Sequence, residues 1–388
     1  MTSSTKRQSY YLDYLWHAFT QMNEYLKEDP LVIEDSDGVY LIDSDGNRYI
    51  DGVSSLWVNI HGHKVSKINK AIKNQVDKIA HSTLLGVTNP SASLLAKKLI
   101  DISPAGLKKV FYSGDGASAV EVALKMAFQY WLIKGKKRKN NFVCLKDGYH
   151  GDTLGAVSVG GIDVFHSTFK PLLFKSYKIP SYDSSDNTIA RLESILIKKA
   201  DTIAALIMEP YVQAAGGIKV ATKGYLKKIQ KLCKKFDILL ILDEVATGFG
   251  RTGEMFACDH DNVTPDILVL GKGLTGGYLP LSATITTNNI FETFLVEHEE
   301  LKDIFHGHRY SGNPLACSAE IANLEIFEEE QTIKKAKKVI EIFEEELKEF
   351  YGLEIVTSVR NKVFMAGIYL KKNMKKNIIY TYNERIGK

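Results

Sequence analysis

Lys272 lies in an unusual setting for a lysine. It follows the apolar run Ile267–Leu270, which is typical of a buried strand, and the sequence around it reads LGKGLTGG. A lysine amine at a strand end can form a Schiff base with an aldehyde, and glycines on both sides let the backbone approach a bound group closely. A loop lysine that merely follows a strand is the alternative, and this segment alone leaves it open.

Two carboxylates follow another apolar run. Asp243 and Glu244 come directly after the strand in the segment DILLILDEVATGFGRTG. A carboxylate at a buried strand end is costly unless it meets a cation, and the protonated ring nitrogen of a pyridine cofactor is such a cation. Asp243 and Lys272 would then serve opposite ends of one cofactor. A helix N-cap or a metal ligand is the alternative role for Asp243.

Two more segments fit the same kind of site. FYSGDGASAVEVALK predicts a strand, a glycine-containing turn and a helix that begins near Ala117, and free N–H groups at a helix start suit a phosphate. In KDGYHGDT, Tyr149 follows a strand and could stack on a planar ring, with His150 and Asp152 as support. Each of these residues could equally be structural.

Composition limits the class of protein. The net charge of +4 does not by itself indicate nucleic-acid or membrane binding. No apolar run approaches the roughly 20 residues that span a bilayer, and the N-terminus lacks a signal-peptide core. The lysine-rich runs at 134–139 and 371–376 lack interleaved aromatics, so we interpret them as solvated turns and helix ends. Four scattered cysteines are typical of a reducing cytoplasm, where we expect the protein.

Two further patterns are interpreted as structural. The glycines of GFGRTG (248–253) spell GxGxxG, but a dinucleotide site needs them at the strand-to-helix turn itself, and DEVAT intervenes here. The HGH segments at 61–63 and 306–308 each offer two histidines, but a metal site needs a third ligand as well. The glycine between the histidines is more typical of a tight turn, so we interpret both segments as turns. We therefore predict neither a dehydrogenase nor a metalloenzyme.

The middle of the chain alternates between short apolar runs and amphipathic helical stretches. Such alternation implies an α/β fold with a mostly parallel sheet, covered by helices on both faces, and with its chemistry at the carboxyl ends of the strands. The predicted helices cover 117–133 and 225–236, and the predicted strands are Val110–Tyr112, Asn141–Leu145, Ile203–Met208, Asp237–Leu242, Ile267–Leu270 and Leu281–Thr286.

The two flanks of the chain differ from its middle. We predict a β-meander within 31–60, an amphipathic helix over 332–350 and two terminal strands; the predicted strands are Leu31–Ile33, Val39–Ile42, Tyr49–Asp51, Leu353–Thr357 and Val363–Leu370. Because 388 residues exceed one ordinary domain, we expect a large domain over 61–325. Residues 1–60 and 326–388 would combine into a smaller α+β domain.

Several of these segments together resemble one family. DEVATGFGRTG followed by LVLGKGLTGG is similar to the class-III aminotransferases of fold type I, and EPYVQAAGG, DGYHGDT and HGHRYSGNP match in the expected order. The resemblance implies the fold type I transferase architecture and transamination with pyridoxal 5′-phosphate. Lys272 would hold this cofactor as a Schiff base and move the α-proton of the substrate. Asp243 would hold the pyridine nitrogen.

The resemblance also assigns cofactor contacts. Tyr149 would lie against the ring face and the keto-acid substrate, and Gln213 would reach the phenolic oxygen of the ring. The turn formed by Asp115, Gly116 and Ala117 would bind the phosphate.

Other roles implied by the resemblance involve a partner subunit and the substrates. Gly307, His308 and Arg309 match the segment that crosses from the partner, so a homodimer with shared sites is expected, with Gly307 near the substrate. The substrate channel would be lined by four side chains: Trp16, Phe19, Leu56 and Trp57.

Within the family, LWHAFTQM and DGVSSLWVNIHGH look like the branch that acts in biotin biosynthesis on 8-amino-7-oxononanoate. Phe19 replaces a tyrosine, and Leu56 a tryptophan, of members that take the amino group from S-adenosylmethionine. HSTLLG and HGHRYSGN look nearer to members that use lysine. We expect S-adenosylmethionine as the donor, with lysine as the alternative. Another ω-aminotransferase is a further alternative, which LWHAFTQM and SSLW disfavour.

Other positions depart from the family pattern. Asp115 stands where a small polar residue is usual and would repel a phosphate, whereas Arg309 replaces threonine or serine and could offset it. Val363 stands where glycine is usual. Family members also run several tens of residues further, in a stretch with an arginine that binds the substrate carboxylate. We therefore expect an incomplete small domain, and a non-catalytic remnant stays open as an alternative.

Overall fold

The computed structural model describes residues 10–182 and 185–371. Near its start lie a short helix and a three-stranded antiparallel meander: α1 (Met22–Tyr25), β1 (Ile33–Asp37), β2 (Tyr40–Asp43) and β3 (Arg48–Ile50). The predicted meander is confirmed, but β1 begins where the predicted strand Leu31–Ile33 ends. The reason is that β1 is largely exposed and polar, so apolar periodicity does not mark it.

A strained turn follows the meander. In α2 (Ser54–Trp57) all four residues have a positive φ, between 49° and 69°. L-residues avoid this left-handed conformation at a cost of about 1–2 kcal/mol each. Asp51 holds the turn, because its carboxylate accepts hydrogen bonds from the backbone N and the Oγ of Ser55, each at 2.7 Å, and lies 2.9 Å from His63 Nε2.

Helices α3 (Ser66–Val76) and α4 (Pro90–Ile102) lead into a seven-stranded sheet with the order β4-β12-β11-β10-β7-β5-β6. β12 is antiparallel to both of its neighbours, whereas the other adjacent pairs are parallel, as the sequence predicts. The pair β8–β9 forms a separate ribbon. These strands are β4 (Leu107–Ser113), β5 (Asn141–Leu145), β6 (Ser176–Ile179), β7 (Ile203–Met208), β8 (Val212–Gln213), β9 (Lys219–Val220), β10 (Leu239–Asp243), β11 (Ile267–Leu270) and β12 (Ser282–Thr287).

Helices cover both faces of this sheet. Because successive side chains of a strand point to opposite faces, Leu240 and Leu242 of β10 join one buried cluster while Leu239 and Ile241 join the other. This explains why the strand sequences are apolar throughout. The helices that follow β4 along the chain are α5 (Gly116–Ile133), α6 (Leu154–Val159), α7 (Asp163–His166), α8 (Ser185–Lys199), α9 (Tyr225–Lys235), α10 (Asn288–Thr293) and α11 (Pro314–Glu329).

The C-terminal part is a helix and an antiparallel hairpin: α12 (Thr332–Glu346), β13 (Val356–Lys362) and β14 (Met365–Leu370). The helix predicted over 332–350 ends four residues early, in a 3₁₀ turn at Leu347–Gly352. The lysine-rich run 371–376 lies outside the described residues apart from Lys371. The union of both chain ends in one small domain stays a prediction. No helix in the described ranges is long and apolar enough to cross a bilayer.

The hairpin turn explains why glycine is usual at the position of Val363. Val363 is the first of two residues between the paired Lys362 and Met365, and its φ is 57°, which is a glycine-favouring conformation at this position of a hairpin. A β-branched residue there is a backbone outlier.

We therefore predict that Val363→Gly is more stable than Val363→Ala by about 1 kcal/mol, because only glycine relieves the backbone strain. Both changes remove the same buried side chain, which is 8% exposed. Val359 in β13 is buried to the same extent, and there we expect the alanine variant to be more stable than the glycine variant. Urea unfolding of the four variants measures this, and an alanine advantage at 363 would contradict the assignment.

Candidate active site

Two strand ends bring the predicted lysine and aspartate together. Asp243 ends β10 and pairs with Val269 of the parallel neighbour β11, which ends at Leu270, two residues before Lys272. Carboxyl ends of adjacent parallel strands share one edge of the sheet. Asp243 and Lys272 accordingly line one cavity of about 520 Å³ at that edge.

Glycines allow the lysine turn to touch the start of α5. A Cβ on Gly271 would lie 3.3 Å from Val245 Cγ1 and 3.5 Å from Gly116 Cα, and a Cβ on Gly116 would lie 2.8 Å from Val245 Cγ1. Lys272 itself has a φ of 47° and begins a 3₁₀ turn, Lys272–Thr275. The glycines around Lys272 therefore serve close packing between the lysine turn and the helix start, with Val245 between them.

The surroundings of Lys272 favour a neutral amine. Burial lowers its pKa, the charges of Asp243 and Glu209 oppose this change, and the nearby Arg251 guanidinium adds to it. Its Nζ lies 4.7 Å from the ring centroid of Trp57, at the end of the left-handed turn. A larger neutral fraction makes the amine a better nucleophile toward a carbonyl group.

Asp243 is held by a buried histidine. Its Oδ2 lies 2.7 Å from His150 Nδ1, and its Oδ1 accepts a hydrogen bond from the backbone N of Val245 at 3.0 Å. Burial acts to lower the pKa of His150, but the hydrogen bond to Asp243 and the charges of Asp243 and Glu209 outweigh it, so the pKa is raised. Among the described residues His150 Nε2 has no hydrogen-bond partner.

Tyr149 and Glu209 form another wall of the cavity. The Tyr149 hydroxyl donates to Asp152 Oδ2 at 2.8 Å, and burial, followed by this bond, raises the pKa of Tyr149. Glu209 accepts backbone N–H groups of Tyr149 and Ala214, at 3.1 and 2.9 Å. Burial nevertheless raises the pKa of Glu209 to about 7, against the opposing effect of His150.

The start of α5 forms the far end of the cavity, where Asp115, Gly116 and Ala117 all line it. Asp115 is the N-cap: its Oδ1 accepts from Ser118 N at 2.9 Å and its Oδ2 from Ser118 Oγ at 2.7 Å. A Cβ on Gly151 would lie 2.3 Å from Ala117 Cβ, so this loop fits against the helix only with glycine. The turn offers backbone N–H groups to an anion, while Asp115 adds a negative charge beside them.

Several predicted site residues do not line this cavity. Gln213 is fully buried, and its amide donates to Lys146 O at 2.8 Å and accepts from Tyr182 N at 3.4 Å. Six other predicted site residues are exposed and also lie outside the cavity lining: Trp16, Phe19, Leu56, Gly307, His308 and Arg309. Phe19 packs edge-on against Phe165, whose ring is in turn 6.3 Å from that of Tyr149.

Three residues of the site were not found by the sequence analysis. Glu209 follows the apolar strand β7 as Asp243 follows β10, so the strand-end signal was sufficient to find it. Val245 and Arg251 gave no comparable signal. Arg251 is half-buried near Lys272 and donates to Asn59 O at 2.6 Å. In the described ranges no three His, Cys, Asp or Glu side chains form a metal-binding group.

Comparisons with known proteins place the chain in a family. The model of the family "Aminotransferase class-III" matches residues 22–386. The chain belongs to the class-III aminotransferases. The adenosylmethionine-8-amino-7-oxononanoate aminotransferase of Aquifex aeolicus is 52% identical, over 97% of this chain and 85% of its own length. That of Staphylococcus aureus is 47% identical, over 92% and 82%.

Solved structures agree with this assignment and with the predicted fold. The crystal structure of the adenosylmethionine-8-amino-7-oxononanoate aminotransferase from Methanocaldococcus jannaschii has a TM-score of 0.94 and 48% identity, and covers 98% of this chain and 87% of that one. An omega transaminase from Pseudomonas jessenii, in complex with PMP, has a TM-score of 0.90 and 31% identity, over 94% and 83%.

Class-III aminotransferases use pyridoxal 5′-phosphate, and the cavity of this chain fits that group. An amine for its aldehyde (Lys272), a carboxylate for its ring nitrogen (Asp243), an aromatic side chain (Tyr149) and a helix start for its phosphate line one space. Asp115, at the helix start, adds a negative charge that disfavours a phosphate there.

The raised pKa of His150 predicts a pH dependence of stability. A histidine with a raised folded-state pKa contributes stability that is full below about pH 6.5 and lost as pH rises through the folded value. We expect the wild type to be more stable than His150→Gln at about pH 5.5, by the order of 1 kcal/mol, and the difference to shrink by about pH 8.5. Urea unfolding of the cofactor-free proteins at both pH values tests this, and a constant difference would contradict it.

Proposed function

We propose that the protein transfers an amino group to 8-amino-7-oxononanoate, forming 7,8-diaminononanoate in biotin biosynthesis, with S-adenosylmethionine as donor. The observation that carries the proposal is the convergence of Lys272 and Asp243 in one cavity. The names of relatives at 46–52% identity supply the substrate and the donor, whereas omega transaminases resemble the chain at 30–31% identity.

The proposed mechanism assigns separate tasks to the two residues. When bound, the cofactor supplies the electron sink that lets a proton leave the donor's amino-bearing carbon. Lys272 would hold the cofactor covalently and, as an amine of lowered pKa, would move that proton. Asp243, fixed by His150 and by the Val245 N–H, would hold the ring nitrogen with its carboxylate. Gln213 would contact the phenolic oxygen only if its amide left its present partners.

The substrate would enter past the aromatic side chains around Tyr149. Trp57 lines the cavity, and Phe19 reaches Tyr149 through Phe165. Leu56 is exposed next to Trp57 on the strained turn. Phe19 and Leu56 lack the hydroxyl and indole expected for an S-adenosylmethionine site, and this observation keeps lysine as the second candidate donor.

We propose a homodimer in which Gly307, His308 and Arg309 reach the partner's site. Support comes from the exposed apolar side chains around them, since Phe305 is 70% and Tyr310 64% exposed. Apolar surface of this extent favours association. All four cysteines are buried and unpaired, which supports a cytoplasmic location.

The donor can be identified from the cofactor itself. Supplied one at a time to the pyridoxal 5′-phosphate form, S-adenosylmethionine should convert its absorbance to that of the amine form, and lysine should not. A response to lysine alone would change the donor but keep the reaction.

Lys272→Ala should abolish this conversion and lower turnover at least about a thousandfold. Lys235→Ala, on the surface of α9, is the matched control and should leave the absorbance conversion and the turnover unchanged. The remnant alternative predicts no turnover by the wild type, and an omega transaminase predicts turnover with ω-amines but not with 8-amino-7-oxononanoate.

Charge at the phosphate end predicts opposite effects of two substitutions. Asp115→Ser should tighten binding of pyridoxal 5′-phosphate about tenfold, because serine keeps an N-cap oxygen without the charge. Arg309→Thr should weaken binding by a similar factor if the partner's arginine reaches the phosphate. Fluorescence titration measures the affinity of each variant for pyridoxal 5′-phosphate, and light scattering measures the mass of the protein in solution. Unchanged affinity in Arg309→Thr, or a monomer mass, would contradict the shared site.

A further inference from the structure

Two fully buried polar residues lie behind the lysine turn, on the side away from the cavity lining. Glu320 and Asn323 are both 0% exposed and stand one turn apart on α11, so they share a face of that helix. Neither residue lines the active-site cavity. Polar groups of this kind are costly to bury and must be explained by what they bind.

Asn323 binds the backbone of the lysine turn. Its Nδ2 donates to the carbonyl oxygens of Gly273 and Leu274, at 3.2 and 3.1 Å. Its Oδ1 packs against the other end of the turn, since a Cβ on Gly276 would lie 3.0 Å from it. One side chain of α11 therefore contacts three of the four residues that follow Lys272.

Glu320 fixes the orientation of this amide. Its Oε2 lies 2.8 Å from Asn323 Nδ2 and accepts from it, so the two Nδ2 hydrogens are shared among three acceptors. Burial raises the pKa of Glu320 well above its usual value, and in the described ranges no lysine, arginine or histidine forms an ion pair with it. The titratable groups around the pair are Tyr112, Cys317 and His61. The raised pKa favours the protonated acid, whose carboxyl oxygen accepts the hydrogen bond from the amide without placing a charge behind the lysine.

The turn needs such support because its backbone is strained. Lys272 holds a φ of 47°, which a residue with a side chain keeps only when its surroundings determine it. Gly271 packs on Val245 at the start of the turn. Without Asn323, Leu274 O would lose its donor from α11, while Gly273 O would keep only the backbone N–H of Gly276. The turn could then relax to an ordinary conformation.

We propose that Asn323 and Glu320 are positioning residues for Lys272: Asn323 binds the two carbonyl groups that follow the lysine, and Glu320 orients the amide that binds them. The pair touches neither cofactor nor substrate and acts through the backbone. The inference rests on the proposed role of Lys272 as the residue that binds the cofactor covalently.

Three variants and the wild type test the proposal. Asn323→Asp keeps the size of the side chain but turns the donor into an acceptor that faces two carbonyls. Glu320→Gln keeps a neutral acceptor of the same shape. Ile229→Ala, on α9, removes buried volume away from the site and controls for general loss of stability. For each protein, titration with pyridoxal 5′-phosphate gives the affinity, and absorbance against pH gives the protonation midpoint of the lysine-bound cofactor.

We expect Asn323→Asp to weaken cofactor affinity roughly tenfold or more and to move the absorbance midpoint, because the lysine is displaced. Glu320→Gln should stay within about twofold of the wild type on both measurements. Ile229→Ala should lower the unfolding temperature without moving the midpoint. If Asn323→Asp does not fold, Asn323→Ser, which is too short to reach both carbonyls, should show the same effects in weaker form.

The proposal is overturned if Asn323→Asp, or its serine substitute, keeps the wild-type midpoint and affinity. It is equally overturned if Ile229→Ala moves the midpoint as far, or if Glu320→Gln behaves like Asn323→Asp. A wild type that binds no cofactor at Lys272 would instead refute the proposed function, so the two failures are distinguishable.

Discussion

The buried carboxylate of Asp243 sets a condition that the rest of the site must satisfy. At 3% exposure it cannot rely on water, so it needs cations and donors supplied by the protein or by a bound group. His150 and the Val245 N–H occupy both oxygens from one side. Glu209, a second buried acid with a raised pKa, interacts with both Asp243 and His150, and Arg251 adds positive charge near Lys272. The site is thus a cluster of mutually dependent charges, and a cationic ring nitrogen would complete it.

Strained backbone also occurs in and near this cluster. Lys272, Tyr211 and Phe249 all have positive φ, as does the whole turn Ser54–Trp57. Such conformations cost about 1–3 kcal/mol each and persist where the surrounding packing determines them. Asp51 and His63 hold the turn that presents Trp57, and Asn323 holds the turn that presents Lys272. The two side chains that meet at 4.7 Å are therefore each carried by a braced, strained turn.

The sheet determines where these turns can be. The parallel strands β10 and β7 end at one edge of the sheet, where β10 ends with Asp243 and β7 is followed by Glu209. The neighbouring strand β11 ends at the same edge, two residues before Lys272. The start of α5 reaches the same edge because β4 runs in the same direction, with β12 between. This edge therefore carries an amine, a carboxylate and a helix start with free N–H groups. A single fold supplies all three within one cavity.

Strong local signals made much of this predictable. Asn141–Leu145, Ile203–Met208 and Ile267–Leu270 have the predicted bounds, because a strand buried on both faces must be apolar throughout. Charged residues directly after such runs marked Lys272 and Asp243. The exposed strand β1 and the hairpin β8–β9 lack that signal, so periodicity misplaced the first and missed the second.

What the sequence by itself determined is therefore the set of buried strands, their alternation with helices and the reactive residues at their ends. Only the tertiary structure decided which partners these residues have. His150 meets Asp243 across 93 positions, and Asn323 meets Gly273 across 50. Such pairs depend on how the sheet and helices pack, and no local pattern of residue types encodes contacts over those separations.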